Sequence, residues 1–160
     1  MILMLDVQSA CSEPAPDESA LQHWLGCALT EAGHRKDVEI AVRIMADGEM
    51  AALNKRYRGR DGPTNVLSFP ADLPPGLDLP LLGDIAICAP VVLSEAAEQG
   101  KPTHSHWAHM TVHGCLHLLG YDHVEPEDAR RMESLETRIM LALGLPCPYT
   151  LPAERENLAS

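Results

Sequence analysis

The chain has 160 residues, 46% of them hydrophobic, enough to close one ordinary core and too few for two, so one domain spanning 1–160 is expected. A formal net charge of −11 repels polyanions at long range and argues against generic nucleic-acid binding, while leaving room for a local basic site. Five cysteines, an odd number without any C-x-x-C pair, fit neither a disulfide framework nor a thiolate zinc knuckle, and reduced thiols in the cytoplasm are the simpler reading.

Met1 to Val7 reads as a short strand, and it lacks the basic lead and long apolar run of a signal peptide. Asp17 caps a helix whose Leu21, Trp24, Leu25, Ala28 and Leu29 recur at helical spacing until Gly33 stops it. Val38, Ile40, Val42 and Ile44 alternate with Glu39, Ala41 and Arg43, the period of a strand with one buried face. A helix follows from Gly48 to about Tyr57, then the turn residues Asp61, Gly62 and Pro63, and a strand over Val66 to Phe69. A loop rich in Pro and Gly, Pro70 to Pro80, leads to a strand at Leu82 to Ile87, and Pro90 opens a helix that Gly100 and Pro102 close.

Thr103 to Leu119 is apolar on nearly every side, which predicts a helix at the centre of the domain. The last helix opens at Glu125 and Pro126, buries Met132, Leu135, Ile139, Met140 and Leu143, and stops at Gly144 and Pro146. Strands come early and helices late, which favours an α+β fold with a small mixed sheet of about four strands and about five helices. No stretch has the length of a membrane span.

His109, His113 and His117 lie four residues apart and therefore along one face of the central helix, where unpaired imidazoles are costly. At ~1.5 Å of rise per residue the outer two stand ~12 Å apart along the axis, so only one adjacent pair chelates an ion. Gly120 selects His113 with His117, because a glycine in the left-handed conformation there reverses the chain and brings His123 back to them.

The spacing H-x-x-x-H-x-x-G-x-x-H is that of the metzincin zinc peptidases, except that Gly114 stands where those enzymes carry a general-base Glu. Three imidazoles with an open position make the catalytic kind of zinc site, the alternative being a structural ion with a further ligand. Water on a protein-bound zinc ionises near pH 7, so hydrolysis tolerates the missing Glu. Cys115 turns to the far side of the helix and reads as core, and His104, His106 and His109 read as structural or as supports of the ligands. Asp84, at the expected start of a strand, either orients a ligand or fills a turn or capping position. Lys55, Arg56, Arg58 and Arg60 form the one dense basic run, by default a solvated surface.

Tyr57-Arg58-Gly59, Pro63-Thr64-Asn65-Val66-Leu67-Ser68-Phe69-Pro70, Leu82-Gly83-Asp84-Ile85 and above all His113-Gly114-Cys115-Leu116-His117-Leu118-Leu119-Gly120-Tyr121-Asp122-His123 resemble the YbeY endoribonucleases of bacteria. The match runs from about Asn54 to Tyr149 and is weak over the first forty residues. The resemblance implies a zincin-like arrangement around the central helix and a metal-dependent, single-strand-specific endoribonuclease. Its expected roles are maturation of the 3′ end of small-subunit (16S) ribosomal RNA and ribosome quality control. It implies one zinc ion on His113, His117 and His123, with Arg58 and the ligand His113 as catalytic residues. The implied partners are single-stranded RNA, small-subunit ribosomal proteins and assembly GTPases, with neither DNA nor a membrane expected. The rival readings are a metallopeptidase, which the ligand spacing suggests and Gly114 opposes, and a non-catalytic assembly factor that uses zinc only to fold.

Overall fold

The computed structural model describes residues 1–77 and 79–149; Asp78 in the Pro70 to Pro80 loop, and residues 150–160 of the expected 1–160 domain, lie outside the described residues. The described residues form, in chain order, β1 (Leu3–Ser9), α1 (Glu18–Glu31), β2 (Val38–Met45), α2 (Asp47–Arg58), β3 (Val66–Pro70), β4 (Leu81–Cys88), α3 (Ala89–Glu98), α4 (Thr103–Leu118) and α5 (Pro126–Ala142). This is the expected α+β fold of five helices and a four-stranded mixed sheet.

Local chemistry sets the element ends. Asp17 caps α1 by accepting the Ala20 N–H at 2.8 Å, and Gly33 takes φ +81 just past the helix end. Pro90 sits in the first turn of α3, where its missing N–H has no helical partner to lose. The first strand is shifted by two residues from the expected span, because pairing with β2 runs from Leu3 opposite Val38 to Ser9 opposite Ile44.

The strand order is β1-β2-β4-β3, with β1, β2 and β4 parallel and β3 antiparallel to β4 at one edge. Val38, Ile40, Val42 and Ile44 point to one face and meet α1, α4 and α5 in the main core, which also holds Ile85, Ile87, Leu116 and Ile139. Met45, Ala86 and Cys88 point to the other face and pack with Met50 of α2 and Leu67. Asp84 shares that second face with Ala86 and is exposed, opposite Phe69 in the ladder with β3. It lies within β4, neither in a turn nor at a cap, and on the far side of the sheet from α4, which overturns both roles considered for it.

α4 runs against β3 and β4 and is buried along nearly its whole length. The closest approach is at Gly114, where a Cβ would meet Ile85 Cγ2 at 2.8 Å, Val66 Cγ2 at 3.2 Å and Ser68 Oγ at 3.3 Å. Ser68 Oγ donates to the Gly114 carbonyl at 2.8 Å and holds the helix to the edge strand. Gly114→Ala should therefore force α4 away from the sheet and cost about 1–3 kcal/mol by overpacking. Equilibrium denaturation measures this, and a loss below about 0.5 kcal/mol would show that the helix can step aside without penalty.

Candidate metal centre

His113 and His117 stand one above the other on α4, half-buried, with ring centroids 4.6 Å apart. Past Leu118 the Gly120 N–H donates to the His117 carbonyl and the Tyr121 N–H to the Leu116 carbonyl, both at 3.0 Å, with Gly120 at φ +100. This is a Schellman ending, and it reverses the chain as the glycine spacing predicts. His123 comes back with its ring centroid 5.6 Å from that of His113 and 5.2 Å from that of His117. One ring nitrogen from each of the three lies within 4.8 Å of the other two.

The donor set fits a cation. His113 Nε2 and His117 Nε2 are 3.1 Å apart. Nitrogens bound to one tetrahedral zinc at about 2 Å stand roughly 3.3 Å from each other. Burial, with the neighbouring imidazoles of His113 and His123, holds the His117 pKa down at about 4, so its ring is neutral near pH 7 and its lone pair is free for an ion.

Behind the trio lies a group that the helical pattern did not single out. Glu136 of α5 is 1% exposed, and its carboxylate takes hydrogen bonds from His109 Nε2, from His113 Nδ1 at 3.3 Å and from the Tyr149 hydroxyl at 2.8 Å. Burial alone would raise its pKa, but the bonds from His109 and His113 outweigh burial and hold it at about 2. The bond to His113 Nδ1 presents Nε2 of that ring to the ion side, the arrangement in which carboxylates orient metal-binding histidines. His109, His113 and Glu136 are also close enough together to hold a cation, but His109 Nε2 and His113 Nδ1 are already engaged with the Glu136 carboxylate. His109 is thus the structural support expected of it.

His104 and His106, in the first turn of α4, are engaged by neighbouring elements. His104 meets Trp24 edge to face with centroids 5.0 Å apart, and His106 Nε2 lies 2.9 Å from Glu95. Glu95 accepts Asn65 Nδ2 at 3.1 Å, which ties the loop before β3 to α3 and α4. The hydrogen bond from His106 leads in holding the Glu95 carboxyl below its ordinary range. Cys115 is fully buried, and burial pushes its thiol up to about 12.

Arg58 is the last residue of α2, and Gly59 follows it in the left-handed conformation at φ +66. Asn54 Nδ2 donates to the Gly62 carbonyl at 2.9 Å and folds the loop back on the helix. Arg58 and the three imidazoles thereby open on one cavity of about 830 Å³, with Thr64 and Ser68 on the β3 side and Glu133 and Glu136 on the α5 side. Position 114 faces the sheet, so a carboxylate placed as in the metzincin peptidases has no space there. Glu136 carried one sequence signal: with Met132, Leu135, Ile139 and Met140 it lies on the buried stripe of α5, where an unpaired carboxylate is costly. Asn65 stood within a family motif without an assigned role, and Tyr149 carried no signal of its own.

Fold and donor set together define an α+β protein with a three-imidazole candidate metal centre opening on a cavity with one arginine at its rim. The sequence pattern described as Endoribonuclease YbeY matches residues 7–144, and the chain belongs to that family. It is accordingly an endoribonuclease, a hydrolase acting on RNA, of a family that works in ribosomal RNA maturation. The match begins within β1 and includes α1 and β2, where no motif stands out. A similar solved structure is the solution structure of TM1509 from Thermotoga maritima, 25% identical, with a TM-score of 0.53, over 88% of this chain and 91% of that one. Among the described residues no helix is long and apolar enough to cross a membrane.

Two outcomes follow from the geometry. Glu136→Gln removes the charge that orients His113 and should weaken metal affinity about 10- to 100-fold in a chelator competition, while unchanged affinity would reduce Glu136 to a packing group. In chelator-treated protein, the folded state disfavours protonation of His117, whose pKa is lowered from 6.5 to about 4. The unfolded chain then binds more protons in that window, so stability falls as pH drops from about 6.5 to about 4. Glu136, with its pKa lowered to about 2, adds stability that is fully present above its ordinary value of 4.5 and is lost below it. His117→Gln should flatten the upper part of this slope in urea melts taken across pH.

Proposed function

We propose that the protein is a zinc-dependent, single-strand-specific endoribonuclease that matures the 3′ end of 16S ribosomal RNA and serves ribosome quality control in the cytoplasm. One zinc ion is held by His113, His117 and His123. The observation that carries this reading is the shared cavity onto which three imidazoles and the Arg58 side chain open. When bound, the ion supplies a Lewis acid and lowers the pKa of water at neutral pH.

The chain's own residues supply the rest. Arg58 presents a planar fork of N–H donors to the phosphoryl oxygens and stabilises the negative charge that grows on them as the phosphodiester is cleaved. His113 is kept in one tautomer by Glu136, and His117 stays neutral, so both keep a lone pair toward the ion. The nucleophile is either water or the adjacent 2′-hydroxyl, and the product ends distinguish them: a 2′,3′-cyclic phosphate rejects water, and a 5′-phosphate with a 3′-hydroxyl rejects the 2′-hydroxyl. A net charge of −11 disfavours binding of free RNA, which supports a dependence on partners such as small-subunit ribosomal proteins and assembly GTPases.

Elemental analysis and an RNA cleavage assay on the same samples test this reading. His123→Ala should lose both zinc and cleavage, and Arg58→Ala should keep zinc and cut about 10²- to 10³-fold more slowly. Full cleavage by either variant would overturn the assignment. Cleavage of casein in place of single-stranded RNA would transfer the site to the peptidases, and wild-type protein that unfolds without metal yet never cuts RNA would leave a zinc-stabilised assembly factor.

A further inference from the structure

Aromatic residues are scarce here, 4% of the chain, and both tryptophans are spent in the core. Tyr57 is different: it is 57% exposed and lies at the rim of the metal cavity, immediately before Arg58. Its ring is nonetheless held. Phe69 makes a T-shaped contact with it, centroids 5.1 Å apart, and the Arg56 guanidinium lies over one face of the ring, 5.5 Å from its centroid. A large apolar ring left open to water, yet braced by an aromatic edge and a cation, is a preformed surface for another flat π-system.

The surroundings indicate which π-system. Tyr57 and Phe69 also border a groove of about 590 Å³ on the opposite face of the sheet, so the pair forms the ridge between that groove and the metal cavity. The groove carries Asp6 and Asp84 with Arg43, and the cavity carries Glu133 and Glu136 with Arg58. Only on the cavity side does an arginine stand with the three imidazoles of the candidate metal centre, where a phosphate would be drawn. Consecutive helical residues point about 100° apart, so α2 presents a cation and a ring in two neighbouring directions at one rim. A polymer with an anionic backbone and aromatic side groups matches that arrangement.

We infer that Tyr57, braced by Phe69 and flanked by Arg56, is a stacking platform for an unpaired nucleobase next to the phosphate held by Arg58. This rests on the endoribonuclease reading above and adds a specificity element to it. A base within a duplex has both faces covered by its neighbours, so a platform of this kind takes a base that is already free and discriminates in favour of single strands.

The test uses the zinc-loaded full chain, a cleavable single-stranded RNA, and a 2′-O-methyl oligonucleotide of the same sequence that cannot use its 2′-oxygen as a nucleophile. Tyr57→Ala should raise Kd for the oligonucleotide and KM for cleavage on the order of tenfold, with a much smaller change in kcat. Tyr57→Trp should restore both, and melting curves should not move, because the ring is largely exposed. In a series of oligonucleotides each lacking one base, wild type should lose the same factor at a single position and Tyr57→Ala should lose nothing there. Wild-type affinity in Tyr57→Ala, or equal losses at every abasic position in both proteins, would overturn the platform and leave the nuclease reading intact. A wild-type protein that neither binds nor cuts single-stranded RNA would overturn both.

Discussion

The closeness of α4 to the sheet is the constraint on which the site depends. Gly114 has Ile85 and Val66 where a side chain would stand, and Ser68 bonds to its carbonyl, so the helix axis is pressed against β4 and β3. His113 and His117 flank that contact and open on the cavity between β3 and α5. The absence of a carboxylate after the first histidine is therefore a consequence of packing. A longer residue at position 114 would move the very helix that carries the imidazoles.

Glu136 makes that packing compatible with chemistry. A carboxylate this deeply buried is tolerable only when its oxygens are satisfied, and His109, His113 and Tyr149 do so. The same bonds fix which nitrogen of His113 turns to the ion side. Core stability and ligand orientation thus rest on one side chain, contributed by the helix that closes the described part of the fold.

A strongly acidic chain that acts on RNA concentrates its useful positive charge. Lys55, Arg56 and Arg58 all lie in the last turn of α2, where cations are favoured by the helix dipole. Of these, Lys55 is engaged with Asp61 at 3.1 Å and Arg56 with the Tyr57 ring, while Arg58 borders the cavity. The basic run is thus solvated in part and directed to the site in part, a division that its composition did not foretell.

Much was legible from the sequence because it is local. The period of two in Val38 to Ile44, the 3.6-residue stripe of α1, the Asp17 cap and the stops at Gly33 and Gly120 all depend on neighbours within a few residues. The convergence of His113, His117 and His123 was legible for the same reason, since a helical pair and one glycine turn specify it within eleven positions. Tertiary structure decided what depends on residues far apart in the chain. It put Asp84 on the wrong face of the sheet for the site, brought Glu136 beneath His113 across 23 residues, and set Arg58 on one cavity with histidines more than fifty positions later. Such contacts are fixed by strand order and helix docking, and burial area drives both without leaving a periodic trace in the residues that meet.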